Sequence, residues 1–246
     1  MAALACCSNE NLQLWALSGS SLSLQLQTSP LQQSQLQCLA YNHNSQVVAV
    51  GASEAPENKR GIAALVFVKD GIPMETLKPA FLGPVHTVCF SSKSRQLVLG
   101  GSQGGLRVWD LKNKVGASLS SCSVTPETML SDYAFVTMCG IPREQVQMQA
   151  LAGHAGTVTS AQWGAKDESI ASCSAGAVCM HSVRTGALTQ QLARDGRTAG
   201  GVSSLAFDST FLSLAGIDVE GAVSVWDARS GQCTAHRSLH QVRCLV

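Results

Sequence analysis

Runs of four to six apolar residues, rich in Val, Leu, Ile and Cys, alternate along the chain with breaks of Gly, Ser, Asn or Asp. That is the pattern of strands joined by tight turns. Apolar spacing of three and four between caps is not sustained anywhere, so helices are not expected. The stretch from Val85 to Lys114, "VHTVCFSSKSRQLVLGGSQGGLRVWDLKNK", shows the layout in full. It reads as a strand, a turn at Ser91 to Ser94, the strand "QLVLGG", the turn "SQGG", the strand "LRVWDL" and an exit loop.

The same layout returns from Gly153 ("GHAGTVTSAQWGAKDESIASCSAGAVCMHSV") and from Gly201 ("GVSSLAFDSTFLSLAGIDVEGAVSVWDARSGQ"). A looser copy runs from Leu36 to Gly71, its second turn stretched by "SEAPENKR", and "SNENLQLWALSGSSLSLQL" supplies the tail of one more. Aligned third-strand positions are Trp15, Phe67, Trp109, His181 and Trp226, spaced by 52, 42, 72 and 45 residues. Two spacings fall near the 40 to 45 residues of a WD40 repeat. The units are approximately 8–27 (partial), 36–77, 85–114, 153–192 and 201–236, all within one region spanning 1–246, with 115–149 as an insertion between blades. Each unit is a small sheet that cannot bury both faces alone, and radial stacking buries them. The expected fold class is therefore all-β: a WD40 β-propeller of about five units, the first partial, the array not closed.

The dipeptides Trp109-Asp110 and Trp226-Asp227 end third strands, and Gly153-His154 opens a unit as a GH pair. In WD40 blades a His, a hydroxyl and the Trp indole can hydrogen-bond around an Asp in the tight turn, tying strands within the blade. Asp218 stands at that turn, whereas Gln103 and Ala175 take its place elsewhere. These residues read as structural.

Composition narrows the function classes. Only 13% of residues are charged and the formal net charge is +1, which gives no basic field for a nucleic-acid backbone. The opening "MAALACCSNE" lacks a basic n-region and a long apolar run, and no stretch is apolar enough to span a bilayer as a helix. A cytoplasmic setting with reduced thiols is expected. The ten cysteines then read as buried core thiols, Cys89, Cys173 and Cys179 among them. "GGSQGG" lacks the Lys of a phosphate loop and runs into a strand, so it reads as a turn. His86, His181, His236 and His240 lack HExxH spacing, and no GxSxG elbow is present. The 16 acidic residues are scattered through turns. No enzyme, cofactor or metal is expected; proteins are the expected partners, with neither nucleic acid nor membrane.

Residues 115–149 break the period and read as an insertion whose removal would restore an ordinary blade junction, or as a binding loop. Asn58, Lys59 and Arg60 are candidate rim charges. "SLHQVRCLV" stops about where another first strand would begin, which suggests a truncated array.

Four stretches carry a narrower likeness: "ENLQLWALSGSSLSLQLQTSP", "LVLGGSQGGLRVWDLKNK", "GTVTSAQWGAKDESIASCSAGAVCMHSV" and "LSLAGIDVEGAVSVWDARSGQ". They resemble the N-terminal propeller of the NEDD-type γ-tubulin-ring-complex adaptors (neural precursor cell expressed, developmentally down-regulated). The strand Met180-His181-Ser182-Val183, ending in His-Ser-Val where Trp-Asp is usual, is part of that resemblance. It implies a scaffold at the centrosome, spindle pole and cytoskeleton that helps target the γ-tubulin ring complex for microtubule nucleation and mitotic spindle assembly. The family's C-terminal helical region, which carries the γ-tubulin-complex contact, is not among these residues. The alternative is another WD40 adaptor, a ubiquitin-ligase substrate receptor or a chromatin platform.

Overall fold

The computed structural model describes residues 2–18, 21–54, 60–78, 83–111, 148–194, 197–198 and 201–238. Its strands form five antiparallel sheets, each with its strands in chain order. The first sheet holds β1 (Ala2–Ser8), β2 (Asn11–Ser18) and β3 (Ser21–Thr28). The second holds β4 (Gln35–Tyr41), β5 (Val47–Ser53), β6 (Gly61–Phe67) and β7 (Pro73–Leu77). The third holds β8 (Val85–Phe90), β9 (Gln96–Gly101), β10 (Leu106–Asp110) and β11 (Met148–Ala150). The fourth holds β12 (Val158–Trp163), β13 (Ser169–Ser174), β14 (Val178–Ser182), β15 (Leu188–Arg194) and the short β16 (Arg197–Thr198). The fifth holds β17 (Val202–Phe207), β18 (Ser213–Asp218), β19 (Ala222–Asp227) and β20 (Cys233–Ser238).

The sheets stack in order, and four apolar clusters fill the spaces between them. Leu12 and Leu14 of the first sheet meet Val48, Val50 and Val66 of the second. Ala49 and Leu65 then meet Leu97 and Leu99 of the third. Val98 and Val108 meet Trp163 and Ile170 of the fourth, and Ala171 and Met180 meet Leu214 and Trp226 of the fifth. A sheet covered on both sides needs apolar residues on both, so β5 reads "VVAVGAS" with Val47 to Ala52 all buried. A sheet at an end of the stack is buried on one side only. In β2 buried Leu12, Leu14 and Ala16 alternate with more exposed neighbours, and β19 alternates in the same way. Burying each Leu or Ile of these clusters contributes about 1.5–3 kcal/mol. Glycine sets the close approach of neighbours: a Cβ on Gly100 would lie 2.8 Å from Val158 Cγ1, and one on Gly51 would lie 2.7 Å from Val85 Cγ1. Each glycine thus admits the first strand of the next sheet.

No apolar cluster among the described residues joins the fifth sheet to the first, so the all-β array is an open propeller. The first sheet also differs from the others in its make-up. β5 packs on β8, β9 on β12 and β13 on β17, each a second strand on the next first strand, and β1 packs on β4 likewise. β1 is therefore a second strand, and the inner position of its sheet is not filled by any described strand.

Three features depart from the sequence reading. The first sheet begins at Ala2 rather than near residue 8, because "ALACC" pairs with β2 through a turn in which Asn9 takes a left-handed φ of 52°. Phe67 is not the counterpart of Trp109; Val66 is, since Val66 pairs with Val48 as Trp109 pairs with Leu97, and Phe67 faces the other side. Residues 115–147 of the expected insertion lie outside the described residues, but Met148 and Gln149 belong to β11, which pairs with β10. The connection thus leads from the third to the fourth strand of one sheet. Asn58, Lys59, His240 and the tail from residue 239 also lie outside the described residues, while Arg60 is exposed. Among the described residues no helix is long and apolar enough to cross a membrane.

Candidate functional site

The expected Asp–His–hydroxyl–Trp clasp is divided between sheets. In the fourth sheet the loop before β12 carries Gly153 at a φ of 142° and places the His154 ring over β13. His154 Nε2 lies 2.8 Å from Ser172 Oγ and Nδ1 lies 2.9 Å from Ser174 Oγ. Ser174 Oγ also points at the Ala177 carbonyl 3.5 Å away, which assigns its proton to that acceptor. Nδ1–H then donates to Ser174, and Nε2 accepts from Ser172. Burial, helped by neighbouring His181, pushes the His154 imidazole down to about 4, so the ring is neutral at pH 7. Both serines are buried, and their hydroxyls are engaged by the ring. The group clips a loop to a strand; no solvent-facing nucleophile results.

His181 takes the tryptophan position in β14 and is fully buried. Its Nε2–H donates to the Ala152 carbonyl at 2.7 Å, holding the chain just ahead of Gly153. Its Nδ1 is buried and without a hydrogen-bond partner among the described residues. Burial lowers its pKa, opposed in part by the Ala152 bond. Ala175 offers no carboxylate, so the clasp here is His and Ser alone.

The fifth sheet has the carboxylate and the indole, and they do not meet the same partners. Asp218 Oδ1 accepts from Glu220 N at 3.0 Å and Ala222 N at 2.8 Å, closing the turn between β18 and β19. Trp226 is fully buried and its Nε1–H donates to the Ala193 carbonyl of β15 at 2.9 Å. The expectation of an indole tying strands within its own blade is corrected here: Trp226 lies on the face packed against the fourth sheet, so its bond crosses to that sheet. Asp227 Oδ1 accepts from Ser230 N and Ser230 Oγ, both at 2.7 Å, and these bonds hold its carboxyl below the usual range. In the third sheet Asp110 ends β10 opposite Gln96, Gln103 occupies the tight turn at a φ of 55°, and Trp109 Nε1 is buried without a partner among the described residues.

Links between sheets that sequence reading missed lie at the ends of the first strands. Trp163 donates through Nε1 to the Cys89 carbonyl at 2.9 Å, joining the fourth sheet to the third. The signal was present, because β4, β8, β12 and β17 all end in an aromatic residue: Tyr41, Phe90, Trp163 and Phe207. At the following turns, Ser92 N and Oγ donate to Asp167 Oδ1 and Oδ2 at 2.9 and 2.7 Å, and His43 N donates to Ser94 Oγ at 2.8 Å. One end of the stack is thereby cross-tied through its turns.

The opposite end carries the turns between second and third strands. They present Asn9 and Glu10, Arg60, Gln103, Ala175 and Gly176, and Val219 and Glu220, all exposed. Val219 is 74% exposed, which is unusual for a Val in a turn whose backbone Asp218 fixes. Rigid turns of differing chemistry side by side form a surface suited to protein recognition. Among the described residues no three His, Cys, Asp or Glu side chains converge as metal ligands. Cys173 and Cys179 are buried and burial pushes both up to about 11, whereas Cys6 is exposed and departs from the expectation of buried thiols.

The repeat profile described as "WD domain, G-beta repeat" (WD40) matches residues 73–110. The chain carries a WD40 repeat. The match starts at β7 of the second sheet and ends at β10 of the third, so the WD40 sequence repeat straddles two sheets and links them covalently. No curated protein matches the sequence. Among solved structures, a chain in the crystal structure of the mitotic checkpoint complex matches with a TM-score of 0.68 at 15% identity. The match covers 96% of this chain and 60% of that one. At that identity the likeness speaks for the WD40 propeller fold, and this chain spans 60% of the length of that neighbour.

Proposed function

We infer that the protein is a protein-interaction scaffold of the centrosome and spindle, acting in the targeting of the γ-tubulin ring complex for microtubule nucleation. The observation that carries the scaffold reading is the use made of its polar groups. His154, His181, Asp218 and Asp227 are all engaged in fixing turns and loops, while the side chains between second and third strands face solvent. The cellular setting rests on the resemblance of the four sequence stretches to the NEDD-type adaptors, with His181 in the tryptophan position as its most particular feature. The mitotic checkpoint complex contains a chain of the same fold, in keeping with a role in the cell cycle. In this reading the array contributes docking at centrosomal and spindle partners.

The test is imaging of tagged residues 1–246 in dividing cells against γ-tubulin, with and without residues 115–149. Signal at centrosomes or spindle poles is expected in at least one form, weakened by Val219→Asp. A folded protein that stays diffuse in both forms would overturn the centrosomal reading and favour an adaptor of the ubiquitin-ligase or chromatin type.

A further inference from the structure

From the second sheet to the fifth, one row of third-strand residues meets the preceding sheet: Val66, Trp109, His181 and Trp226 in turn. Of these only His181 titrates near neutral pH. It makes the same bond as a tryptophan. Trp226 Nε1–H donates to the Ala193 carbonyl at 2.9 Å, and His181 Nε2–H donates to the Ala152 carbonyl at 2.7 Å. The two acceptors are equivalent, because each follows a buried leucine beside the start of a third strand. Leu192 pairs with Val178, and Leu151 N donates to the Leu106 carbonyl. One bond thus closes two neighbouring joints, with a donor that titrates at the first and a donor that does not at the second.

Side chains of the fourth sheet hold the loop at the first of these joints. His181 holds Ala152, the Cys179 thiol points at the Gly153 carbonyl 3.7 Å away, and Ser172 and Ser174 hold the His154 ring. The two rings lie 6.2 Å apart, and His181 Nδ1 is buried with no acceptor among the described residues. A second proton on either ring meets no counter-charge in the surrounding elements. Besides the two histidines, β12, β13, β14, the turn Ala175–Ala177 and the loop Leu151–Thr157 carry only Cys173 and Cys179 as titratable groups. Ser102–Gly105 and Leu188–Ala193 carry none. In β10, Arg107 pairs with Leu99 in the row facing the second sheet, and Asp110 ends the strand opposite Gln96. His86 lies 3.4 Å from Ser102 Oγ, and Glu168 and Arg184 belong to the turns at the far end of β13 and β14. The carboxylate that the fifth sheet has at Asp218 is replaced by Ala175 in the sheet that has the histidines.

We propose that the joint between the third and fourth sheets opens in acid: protonation of His154 and His181 releases the loop Ala152–His154, while Trp226 keeps the joint to the fifth sheet closed. Burial holds both rings neutral in the closed joint, His154 at about 4, whereas a released ring titrates near 6.5. The closed form is favoured above about pH 6.5 and loses ground as pH falls towards 4. Protonation of His154 alone raises the open fraction by up to about twenty-fold between pH 7 and pH 5, and His181 adds to that rise. The loop touches both turns beside it at its end of the stack. The His154 carbonyl lies against Gly104, and its ring is held by Ser174 next to Ala175. Opening therefore reshapes exposed turns of the third and fourth sheets together.

The experiment compares the two thiols of the fourth sheet. Cys179 lies beneath the loop, whereas Cys173 packs towards the fifth sheet with Met180 and Trp226, and both are fully buried. Residues 1–246 are treated at about pH 7 and about pH 5 with a pyridyl disulfide, which reacts with thiols in mild acid. Mass spectrometry locates the label at each cysteine. The ratio of Cys179 to Cys173 labelling is expected to rise about tenfold or more on acidification. His181→Trp, which supplies the donor found in the fifth sheet, and His154→Asn are each expected to reduce that rise, and the double variant to abolish it. His181→Gln, a smaller donor that does not titrate, replaces His181→Trp if circular dichroism shows that variant to be misfolded. A wild-type ratio that does not change with pH overturns the proposal. Equal gains at both thiols overturn it in favour of global unfolding, and a rise that survives in the double variant overturns it in favour of another titrating group.

Discussion

Trp226 and Trp15 occupy the same row of the repeat in different surroundings, and replacing each by Phe tests the packing argument. Trp226 is fully buried between the fourth and fifth sheets, and its indole donates to the Ala193 carbonyl at 2.9 Å. Trp226→Phe removes that donor and leaves a buried carbonyl unsatisfied, which costs about 1–3 kcal/mol. The lost ring atoms add about 1 kcal/mol of burial. A destabilisation of about 2–4 kcal/mol follows. Trp15 pairs with 55%-exposed Leu4 on the uncovered face, so Trp15→Phe gives up little burial and costs less than about 1 kcal/mol. The assay is urea unfolding followed by circular dichroism, at a protein concentration low enough to keep the chain monomeric. Stacked arrays can lose cooperativity, so the comparison is valid only where the slope of the transition is unchanged. Equal losses for the two variants would refute the reasoning, since they would mean that the row, and not its cover, sets the energy. A loss below about 1 kcal/mol for Trp226→Phe would refute the bond to Ala193.

Other consequences can be measured on the same sample. The His154 ring is held at about 4, while an unfolded His titrates near 6.5. Between those values the unfolded chain takes up a proton that the folded chain refuses. Stability therefore falls as pH drops from about 6.5 towards 4, by at most about 1.4 kcal/mol per unit and less for the solvated part of the ring. His181 acts in the same direction, and His154→Asn should flatten that limb of the pH–stability curve. Asp218→Ala leaves the Glu220 and Ala222 amides without their acceptor and should cost about 1–3 kcal/mol in the same urea titration. Gly104→Ala places a Cβ 1.8 Å from the His154 carbonyl at a φ of 74°, and should lower the melting temperature more than Gly176→Ala, where nothing lies within 4 Å. Under native conditions a thiol reagent should label exposed Cys6 well before Cys173 and Cys179, which burial holds near 11; equal rates, read by mass spectrometry, would contradict their burial.

What the sequence made legible follows from which features are local. Strands, turns and their repetition are written in short runs such as "QLVLGGSQGGLRVWD", and these specify β9, its turn and β10 with no reference to the rest of the chain. The open all-β array was readable for the same reason. The partners of the clasp residues were not, because they depend on which face of a strand meets which neighbour. Phe67 and Val66 adjoin in a strand apolar on both faces, "GIAALVF", so residue type alone does not say which belongs to the tryptophan row; the cross-strand pairing of Val66 with Val48 does. Likewise Trp226 carries the same dipeptide signature whether its indole stays within its own sheet or reaches Ala193 in the next.

The uncovered face of the first sheet shows the same division between local and non-local information. "NLQLWALS" and "SLSLQL" read locally as strands of an interior blade, with apolar residues on both sides of β2: Leu12, Leu14 and Ala16 on one, Trp15 and Leu17 on the other. Only the stacking order reveals that one of those sides has no sheet against it among the described residues, and hence that Leu4 differs from Leu97 and Leu214 in exposure while matching them in position. A face that needs no cover would be expected to carry polar residues, as the alternation of a half-buried sheet does elsewhere. The retention of Trp and Leu there is what an interior blade requires, and it is the physical ground for expecting this face to be covered in solution.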